Sequence, residues 1–305
     1  MSLWDFGRSP DATSKALLLA EGLRLGPTGL PTPLSPPFGV FFGIFGVGLI
    51  YREDQKRVVA VVIMDASDVP AAFPQVVELA TVPRAKNALA TLFGGSADME
   101  AMFTADVFAV GVPTPELQVA TGDMIMAPNV GTCGSSARWA NSQGILTAGH
   151  VGSAPSAAFS NGAHIGNVVF SRNPANGGAQ VGADVALVEL NPGMHLNKSV
   201  TGTVRAQPTS NVLIMRPNGG SPVQVIAKTN WFYIPASNGT YGDVYLTMTG
   251  VTQPGDSGAA VLLQNTQSLV GHVIGASGRI TSYIQDIEYQ LQMIRSNPAF
   301  AAITV

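Results

Sequence analysis

The chain contains very little cysteine and little charge. Cys133 is the only cysteine among 305 residues, which excludes an intramolecular disulfide and a metal framework of the Cys/His type. Charged residues make up 11% of the sequence, the formal net charge is -3, and Lys and Arg form no cluster. Binding to nucleic acid or to an anionic membrane requires a basic surface. The sequence therefore predicts no nucleic-acid and no membrane partner, and favours peptides or small molecules.

Long apolar runs are also missing. The longest, residues 37–51, is shorter than the roughly 20 residues that a membrane-spanning helix requires and contains four glycines, so it predicts a buried strand. The first 15 residues show no basic segment leading into an apolar core, which argues against a secretory signal peptide there. We expect either a cytoplasmic protein or a secreted one after trimming, and the sequence does not decide between them.

Apolar residues are nevertheless abundant, at 46% of the chain, which is enough for one large or two ordinary domains. The residue pattern changes near residue 125. Before it lie a proline-rich segment at 27–38, interpreted as a linker, and two apolar segments at 45–51 and 57–65 that predict a hairpin. Short helices interrupted by prolines follow. These features predict a small α+β domain of unknown role over residues 1–125.

From residue 126 to 305 the pattern is that of a β protein. Short apolar strands are separated by turns rich in Gly, Asn, Ser and Pro at spacings of roughly 8 to 12 residues, which is typical of a barrel or a sandwich. One helix is expected near the C-terminus, capped by Ser282 and stopped by Pro298. Its apolar face would consist of Ile284, Ile287, Leu291 and Ile294.

A serine in a Gly-Asp-Ser-Gly turn is the first candidate for catalysis. Ser257 lies in "VTQPGDSGAAVL", residues 251–262, where a tight turn leads into an apolar stretch. Such a turn occurs in many β proteins, so Ser257 alone does not distinguish a nucleophile from a small turn residue. A catalytic serine also needs a base within hydrogen-bond reach and a carboxylate that orients the base.

The sequence offers candidates for the base and the carboxylate. His150 follows the apolar strand of "GILTAGHVG", a position that can hold an imidazole rigidly beside a cleft. Asp184 comes just before the alternating apolar strand of "VGADVALVELNP". Asp243, in "TYGDVYL", also precedes a strand and is the rival carboxylate.

The order His150, Asp184, Ser257 distinguishes between catalytic folds. The separations are 34 and 73 residues. The subtilisin order begins with the Asp and the α/β-hydrolase order with the Ser, and Ala259 replaces the second glycine of the α/β-hydrolase motif. The segments "ILTAGHV", "ADVALVEL" and "QPGDSGAAVL" together resemble the three signature segments of the chymotrypsin/trypsin-like serine proteases. The resemblance covers about residues 126–296.

This resemblance implies a fold and a set of roles. The expected fold is mainly β, with two six-stranded antiparallel barrels and a C-terminal helix in residues 126–305, preceded by the smaller α+β domain. Ser257 would be the nucleophile, His150 the base and Asp184 the carboxylate that orients it. The backbone N–H groups of Gly255 and Ser257 would form the oxyanion hole.

Two features depart from the pattern of the best-known members of that family. Cys133 corresponds to the first cysteine of a family disulfide, but Val151 occupies the second position, so this bridge is absent, as in many bacterial members. In members activated by cleavage, the acid at the position of Asp256 pairs with a newly released amino terminus, and no matching start sequence precedes the barrels. We therefore expect either another donor to Asp256 or gating by the N-terminal domain.

Four residues are candidates for the specificity pocket: Val251, Thr252, His272 and Val273. The resemblance places Val251 at the base of the pocket, where the lack of an acid argues against a preference for Arg or Lys. His272 together with Thr252 is similar to glutamyl endopeptidases, in which a pocket histidine reads an acidic side chain. An ungapped alignment instead puts Val273 on the pocket face, and adjacent strand residues point to opposite sides. Small or apolar side chains are the expected preference, with acidic ones as the alternative.

The sequence thus predicts a serine endopeptidase that cleaves peptide or protein substrates through an acyl-enzyme intermediate, with no metal and no cofactor. Two alternatives stay open. The barrels could be a catalytically silent peptide-binding or structural module, or the protease could act only on its own N-terminal region, between residues 26 and 130. The oligomeric state is not indicated by the sequence.

Overall fold

Strands dominate the structure, as the sequence predicted. The computed structural model describes residues 11–27, 36–113, 124–160, 162–194, 200–216 and 219–305, so most of the proline-rich segment at 27–38 lies outside the described residues. None of the helices in these ranges is long and apolar enough to cross a membrane. The helices are α1 (Ala12–Leu25), α2 (Pro83–Leu92), α3 (Ala97–Thr104) and α4 (Ile287–Arg295), with 3-10 turns at Phe38–Phe42, Leu79–Thr81, Pro235–Ser237 and Pro298–Phe300. The strands are β1 (Ile44–Arg52), β2 (Arg57–Asp65), β3 (Val76–Glu78), β4 (Val107–Val112), β5 (Met124–Met126), β6 (Val130–Thr132), β7 (Ser136–Trp139), β8 (Ser142–Thr147), β9 (Ser156–Ser160), β10 (Ala163–Arg172), β11 (Val181–Gly182), β12 (Val185–Leu190), β13 (Gly202–Thr203), β14 (Asn211–Arg216), β15 (Gly219–Ile234), β16 (Gly239–Thr247), β17 (Ala260–Leu263), β18 (Ser268–Ser277) and β19 (Thr281–Asp286).

Among the described residues, the first sheet has seven antiparallel strands in the order β6-β5-β9-β10-β12-β8-β7. Apolar residues alternate along its central strands, so that Leu146 and Leu187 enter one buried cluster and Ile145 and Val188 another. One strand more than the expected six is present. It arises because residues 124–132 turn back at Pro128 and form a short hairpin, β5 and β6.

The second sheet has twelve strands in the part of the chain that the structure describes, and six of them close into a ring. β16, β19, β18, β17, β14 and β15 are hydrogen-bonded in that order, every pair is antiparallel, and β15 pairs again with β16. This ring corresponds to one of the two six-stranded antiparallel barrels that the family resemblance implied for residues 126–305. Its core is a buried cluster with members from all six strands, among them Val212, Val225, Tyr245, Val261, Val273 and Ile284.

The N-terminal elements extend this second sheet. β1 and β2 form the hairpin expected from the segments at 45–51 and 57–65, and β1 also pairs with the second half of the long strand β15. Helix α1 packs on this extension, where the indole N–H of Trp231 donates to the carbonyl of Ala20 at 2.6 Å. The N-terminal part thus has the predicted α+β character, and its strands share hydrogen bonds with the barrel. A domain boundary near residue 125 stays a prediction.

The C-terminal helix begins later than the sequence predicted. Residues 281–286 form β19, and the cap of α4 is Asp286 rather than Ser282. The side chain of Asp286 accepts the backbone N–H groups of Glu288 and Tyr289 at 2.9 and 3.1 Å. Pairing of this segment with β16 and β18 overrides its helical pattern.

Helix α4 connects the two sheets. Leu291 and Ile294 on its buried face pack with Leu146 of β8 and Leu187 of β12, in the first sheet. The strand that leads directly into α4, β19, belongs to the barrel. Side chains on the buried face of α4 can therefore reach the junction between the two sheets, and this junction holds the candidate site.

Candidate active site

His150 and Asp184 form a doubly hydrogen-bonded pair. His150 follows β8, Asp184 precedes β12, and these strands are antiparallel neighbours, so the fold brings the two residues together. The ring nitrogen Nδ1 of His150 lies 2.7 Å from Oδ2 of Asp184. The backbone N–H of His150 donates to Oδ1 of the same carboxylate at 2.8 Å. Asp184 is fully buried and His150 is 8% exposed, so little water competes for these bonds.

Gly149 allows the strand end to lie where it does. A Cβ at this position would overlap the backbone carbonyl of Arg172 in β10. Arg172 is the register partner of Val185, the residue after Asp184. The close approach of these backbones therefore requires glycine immediately before His150.

Ser257 lies in the turn of residues 253–258, here called the serine turn, which enters β17. Its carbonyl accepts the backbone N–H of Thr132 at 2.7 Å. The hydroxyl of Thr132 donates to the carbonyl of Gly255 at 2.5 Å. One residue of β6 thereby holds both Gly255 and Ser257, and the turn is anchored to the first sheet.

The serine turn is also tied to the strand that carries His150. The carbonyl of Thr132 accepts the hydroxyl of Thr147, the last residue of β8, at 2.9 Å. A Cβ on Gly131 would overlap Val151, the neighbour of His150, and would lie 2.8 Å from the carbonyl oxygen of Ser257. The structure thus brings the segments of all three candidate catalytic residues together, with Ser257 itself buried.

Asp256 has a donor within the chain. Its Oδ2 lies 2.7 Å from Nε of Arg216, at the end of β14, and accepts the backbone N–H of Gln253 at 2.9 Å. The carboxylate is buried and the Arg216 side chain is 20% exposed. The sequence left two expectations for Asp256, and the structure shows the first of them: a donor other than a new amino terminus, namely Arg216. Sequence reasoning missed Arg216, although a buried acid signals the need for a nearby cation.

Asp243, the rival carboxylate, belongs to a different charged group. It lies on β16, with its carboxylate 3.5 Å from Nζ of Lys228. Burial raises the pKa of Asp243, and the charge of Lys228 opposes this shift. Lys228 also lies 3.8 Å from Asp286, so these three residues form one cluster on the barrel. The carboxylate beside His150 is that of Asp184.

Three of the four pocket candidates lie together. Val251 packs against the barrel cluster that contains Val273, and its backbone N–H donates to the hydroxyl of Ser282 at 3.2 Å. The hydroxyl of Thr252 lies 2.8 Å from the same Ser282 oxygen. Val273 and Thr252 are buried, and Val251 is half-buried.

His272 faces away from that group. Its Nδ1 lies 2.7 Å from Oε1 of Gln290 in α4, and its Nε2 lies 3.2 Å from the hydroxyl of Ser135. The ring is fully buried, and this burial lowers the pKa of His272 to about 4. Adjacent strand residues point to opposite faces, which accounts for the separation of His272 from Val273.

The chain is similar in fold to bacterial chymotrypsin/trypsin-like serine proteases. A Nocardiopsis protease, NAPase, aligns at 20% identity with a TM-score of 0.47, over 61% of this chain and 97% of that one. Thermobifida fusca protease A aligns at 20% identity with a TM-score of 0.46, over the same shares of 61% and 97%. A Cellulomonas bogoriensis chymotrypsin aligns at 21% identity with a TM-score of 0.45, over 61% of this chain and 97% of that one. No protein-family model and no curated protein sequence matches the chain. These similarities concern the fold alone.

Proposed function

We propose that the chain is a serine endopeptidase that hydrolyses peptide bonds in peptide or protein substrates. The observation that carries the proposal is the double hydrogen bond between His150 and Asp184. A carboxylate that accepts both the ring Nδ1–H and the backbone N–H of one histidine fixes its tautomer and orientation. This leaves Nε2 as the basic nitrogen of the ring.

The proposed reaction uses Ser257 as the nucleophile. Its Oγ attacks the carbonyl carbon of the scissile peptide bond while Nε2 of His150 takes the hydroxyl proton, and Asp184 stabilises the resulting imidazolium. His150 then gives this proton to the leaving amine, and an acyl-enzyme ester on Ser257 remains. Water, activated by His150, hydrolyses the ester and restores the serine. The residues of the site perform these steps without a metal or a cofactor.

The N–H groups of Gly255 and Ser257 are proposed to stabilise the oxyanion. Two features support this role: Gly255 has a φ of 99°, in the region that favours glycine, and Thr132 anchors the carbonyls of both residues. A turn held in this way loses little free energy to reorganisation when charge develops on the substrate oxygen. Removal of one such donor typically lowers kcat by about 10²- to 10³-fold.

The proposed substrate preference is for small or apolar side chains. Val251, Thr252 and Val273 lie together and carry no charge. His272, which could have read an acidic side chain, is bound to Ser135 and Gln290 instead. An acidic specificity is therefore the less favoured alternative.

The experiment that tests the proposal is labelling with a fluorophosphonate, read as intact mass. We expect one adduct on the wild type and none on Ser257→Ala or His150→Ala. Ser237→Ala is the matched control, because Ser237 is another buried serine, in the 3-10 turn after β15. This variant should label like the wild type. Absence of an adduct on wild-type protein would contradict the proposal.

The second candidate function is a catalytically silent peptide-binding or structural module. The observation that favours it is the burial of the site: Ser257 is 0% and His150 8% exposed. A protease that acts only on its own N-terminal region is a related possibility. If the chain is a silent module, the wild type gains no adduct. If the protease acts only on itself, the mass of the purified chain falls with time through cleavage between residues 26 and 130, and Ser257→Ala stays intact.

A further inference from the structure

Two buried glutamines hold the backbone of Asp184. The N–H of Asp184 donates to Oε1 of Gln285 at 2.7 Å. Its carbonyl accepts Nε2 of Gln290 at 3.0 Å. Both glutamines are fully buried, and they come from different elements, β19 and α4. Asp184 lies between β11 and β12, where the strand ladder does not extend, so side chains supply the partners that its backbone needs.

Gln285 is locked in one orientation. Its Nε2 donates to the carbonyls of Gly182 at 3.1 Å and Gly242 at 2.9 Å. Both amide protons therefore have acceptors, and Oε1 is the atom that faces the N–H of Asp184. Exchange of the amide oxygen and nitrogen would set two donors against each other.

Gln290 is locked by His272. Its Nε2 donates to the carbonyl of Asp184 and lies 3.4 Å from Oε1 of Gln285, so its Oε1 is the atom that faces His272. At 2.7 Å from this oxygen, Nδ1 of His272 must carry the proton, and Nε2 then accepts the hydroxyl of Ser135 at 3.2 Å. A chain of uncharged groups thus runs from the first sheet through the barrel and α4 to Asp184.

We propose that Gln290 is a positioning residue for the pair of Asp184 and His150, and that His272 acts through Gln290. The inference rests on the proposed function, since it assigns a role to residues behind that site. The Asp184 carboxylate is two rotatable bonds from its backbone. A backbone held at both N–H and C=O therefore fixes where the carboxylate meets the two nitrogens of His150.

The first test replaces Gln290 with Met, which has a similar length and no amide. We expect Gln290→Met to lower kcat at least tenfold on the p-nitroanilide of a short alanine peptide, with KM changed less than twofold. The low-field proton resonance of the His150–Asp184 bond should shift or broaden in the NMR spectrum. Gln292→Met, on the exposed face of the same helix, should match the wild type in both measurements.

A control variant must show that a loss of stability alone changes neither kcat nor the low-field resonance. Ile294→Ala removes a buried side chain of α4 that packs on the first sheet and makes no hydrogen bond to Asp184. This variant should lose as much unfolding free energy as Gln290→Met or more, yet keep kcat and the low-field resonance. An equal fall of kcat in Ile294→Ala would overturn the positioning role.

The second test uses two substitutions of His272. The side-chain N–H of an asparagine can replace Nδ1–H as the donor to Gln290. A leucine, which is similar in volume to histidine, has no such donor. His272→Asn should therefore keep a kcat at least fivefold higher than His272→Leu. If Gln290→Met does not fold, this comparison of the two His272 variants tests the positioning role instead.

The outcomes separate the inference from the proposed function. If folded Gln290→Met keeps both kcat and the low-field resonance, the inference is wrong. If wild-type protein neither labels with fluorophosphonate nor cleaves peptides, the proposed function fails. The resonance then decides the positioning role alone: a shift in Gln290→Met supports it, and an unchanged resonance overturns it.

Discussion

Arg216 and Asp256 form an ion pair at the serine turn, with Nε of Arg216 2.7 Å from Oδ2 of Asp256. Asp256 stands between Gly255 and Ser257, the two residues proposed to donate to the oxyanion. Because the cation comes from β14 of the same chain, no newly released amino terminus is needed to neutralise this buried carboxylate. We therefore expect the serine turn to be ordered in the chain without any proteolytic cleavage.

Loss of Arg216 should weaken both stability and activity. Arg216→Met leaves the buried carboxylate of Asp256 without its cation, and we expect the free energy of unfolding to fall by about 2 kcal/mol. This is less than the roughly 3 to 5 kcal/mol typical of a fully buried pair, because Arg216 is partly exposed. The rate of fluorophosphonate labelling should fall at least tenfold. The double variant Arg216→Met, Asp256→Asn buries no charge and should recover part of the stability in urea unfolding. An unchanged labelling rate in Arg216→Met would show that the pair does not order the turn.

The hydroxyl of Thr132 should matter to catalysis more than to stability. Thr132→Val keeps the backbone bond to Ser257 and removes only the hydroxyl that donates to Gly255. We expect a loss of about 1 kcal/mol in unfolding free energy and a kcat at least tenfold lower. Thr240→Val is the control, because it removes a buried hydroxyl on β16 that donates to the carbonyl of Gly178. Equal kcat values for the two variants would contradict the role of Thr132.

Gly258 should tolerate no side chain. Its φ is 88°, and a Cβ would overlap the hydroxyl of Thr147 and lie 2.6 Å from the carbonyl of Thr132. A Cβ on Gly278, where φ is 52°, would meet no heavy atom of the described residues within 4 Å, so this position isolates the cost of the backbone conformation. We expect Gly278→Ala to cost about 1 kcal/mol and Gly258→Ala about 3 kcal/mol, because overpacking adds to the conformational cost. Thermal unfolding would measure both, and similar losses would show that the Thr147 contact relaxes freely.

The choice of Asp184 as the partner of His150 comes from the order His, Asp, Ser and its resemblance to a known family, because Asp243 also precedes a strand. His150 follows β8 and Asp184 precedes β12, and the antiparallel pairing of these two strands brings the residues together. Arg216 could not be found in this way. A buried Asp256 requires a cation, but nothing local selects Arg216 among 16 Lys and Arg residues. That choice depends on the closure of β14 against β17 in the barrel.

The role of Gln285 was hidden by an ambiguous segment. Ser282 and Gln285 have the spacing of a capping box, and the apolar residues around them fit a helix as well as a strand. Pairing with β16 and β18 makes the segment a strand and turns Gln285 toward Asp184. Long-range pairing of this kind leaves no signal within a short window of sequence.

His272 gives stability a dependence on pH. Burial, opposed by the hydrogen bond to Gln290, lowers its pKa in the folded chain to about 4, against an ordinary value near 6.5. The unfolded chain therefore binds this proton at a higher pH than the folded chain. The stability contributed by neutral His272 is fully present above about pH 6.5 and is lost as the pH falls toward about 4, to a total of about 3 kcal/mol.

Urea unfolding at several pH values measures this effect. Between pH 7 and pH 4.5 we expect wild-type protein to lose more unfolding free energy than His272→Asn, which has no proton to take up at this position. The variant is less stable at pH 7, since the asparagine fills less of the buried site, but its decline with pH should be shallower. All other ionisable residues are the same in the two proteins, so the difference between the two slopes reports His272. Parallel declines would show that the pKa of His272 in the folded chain lies close to its ordinary value, as for an exposed imidazole.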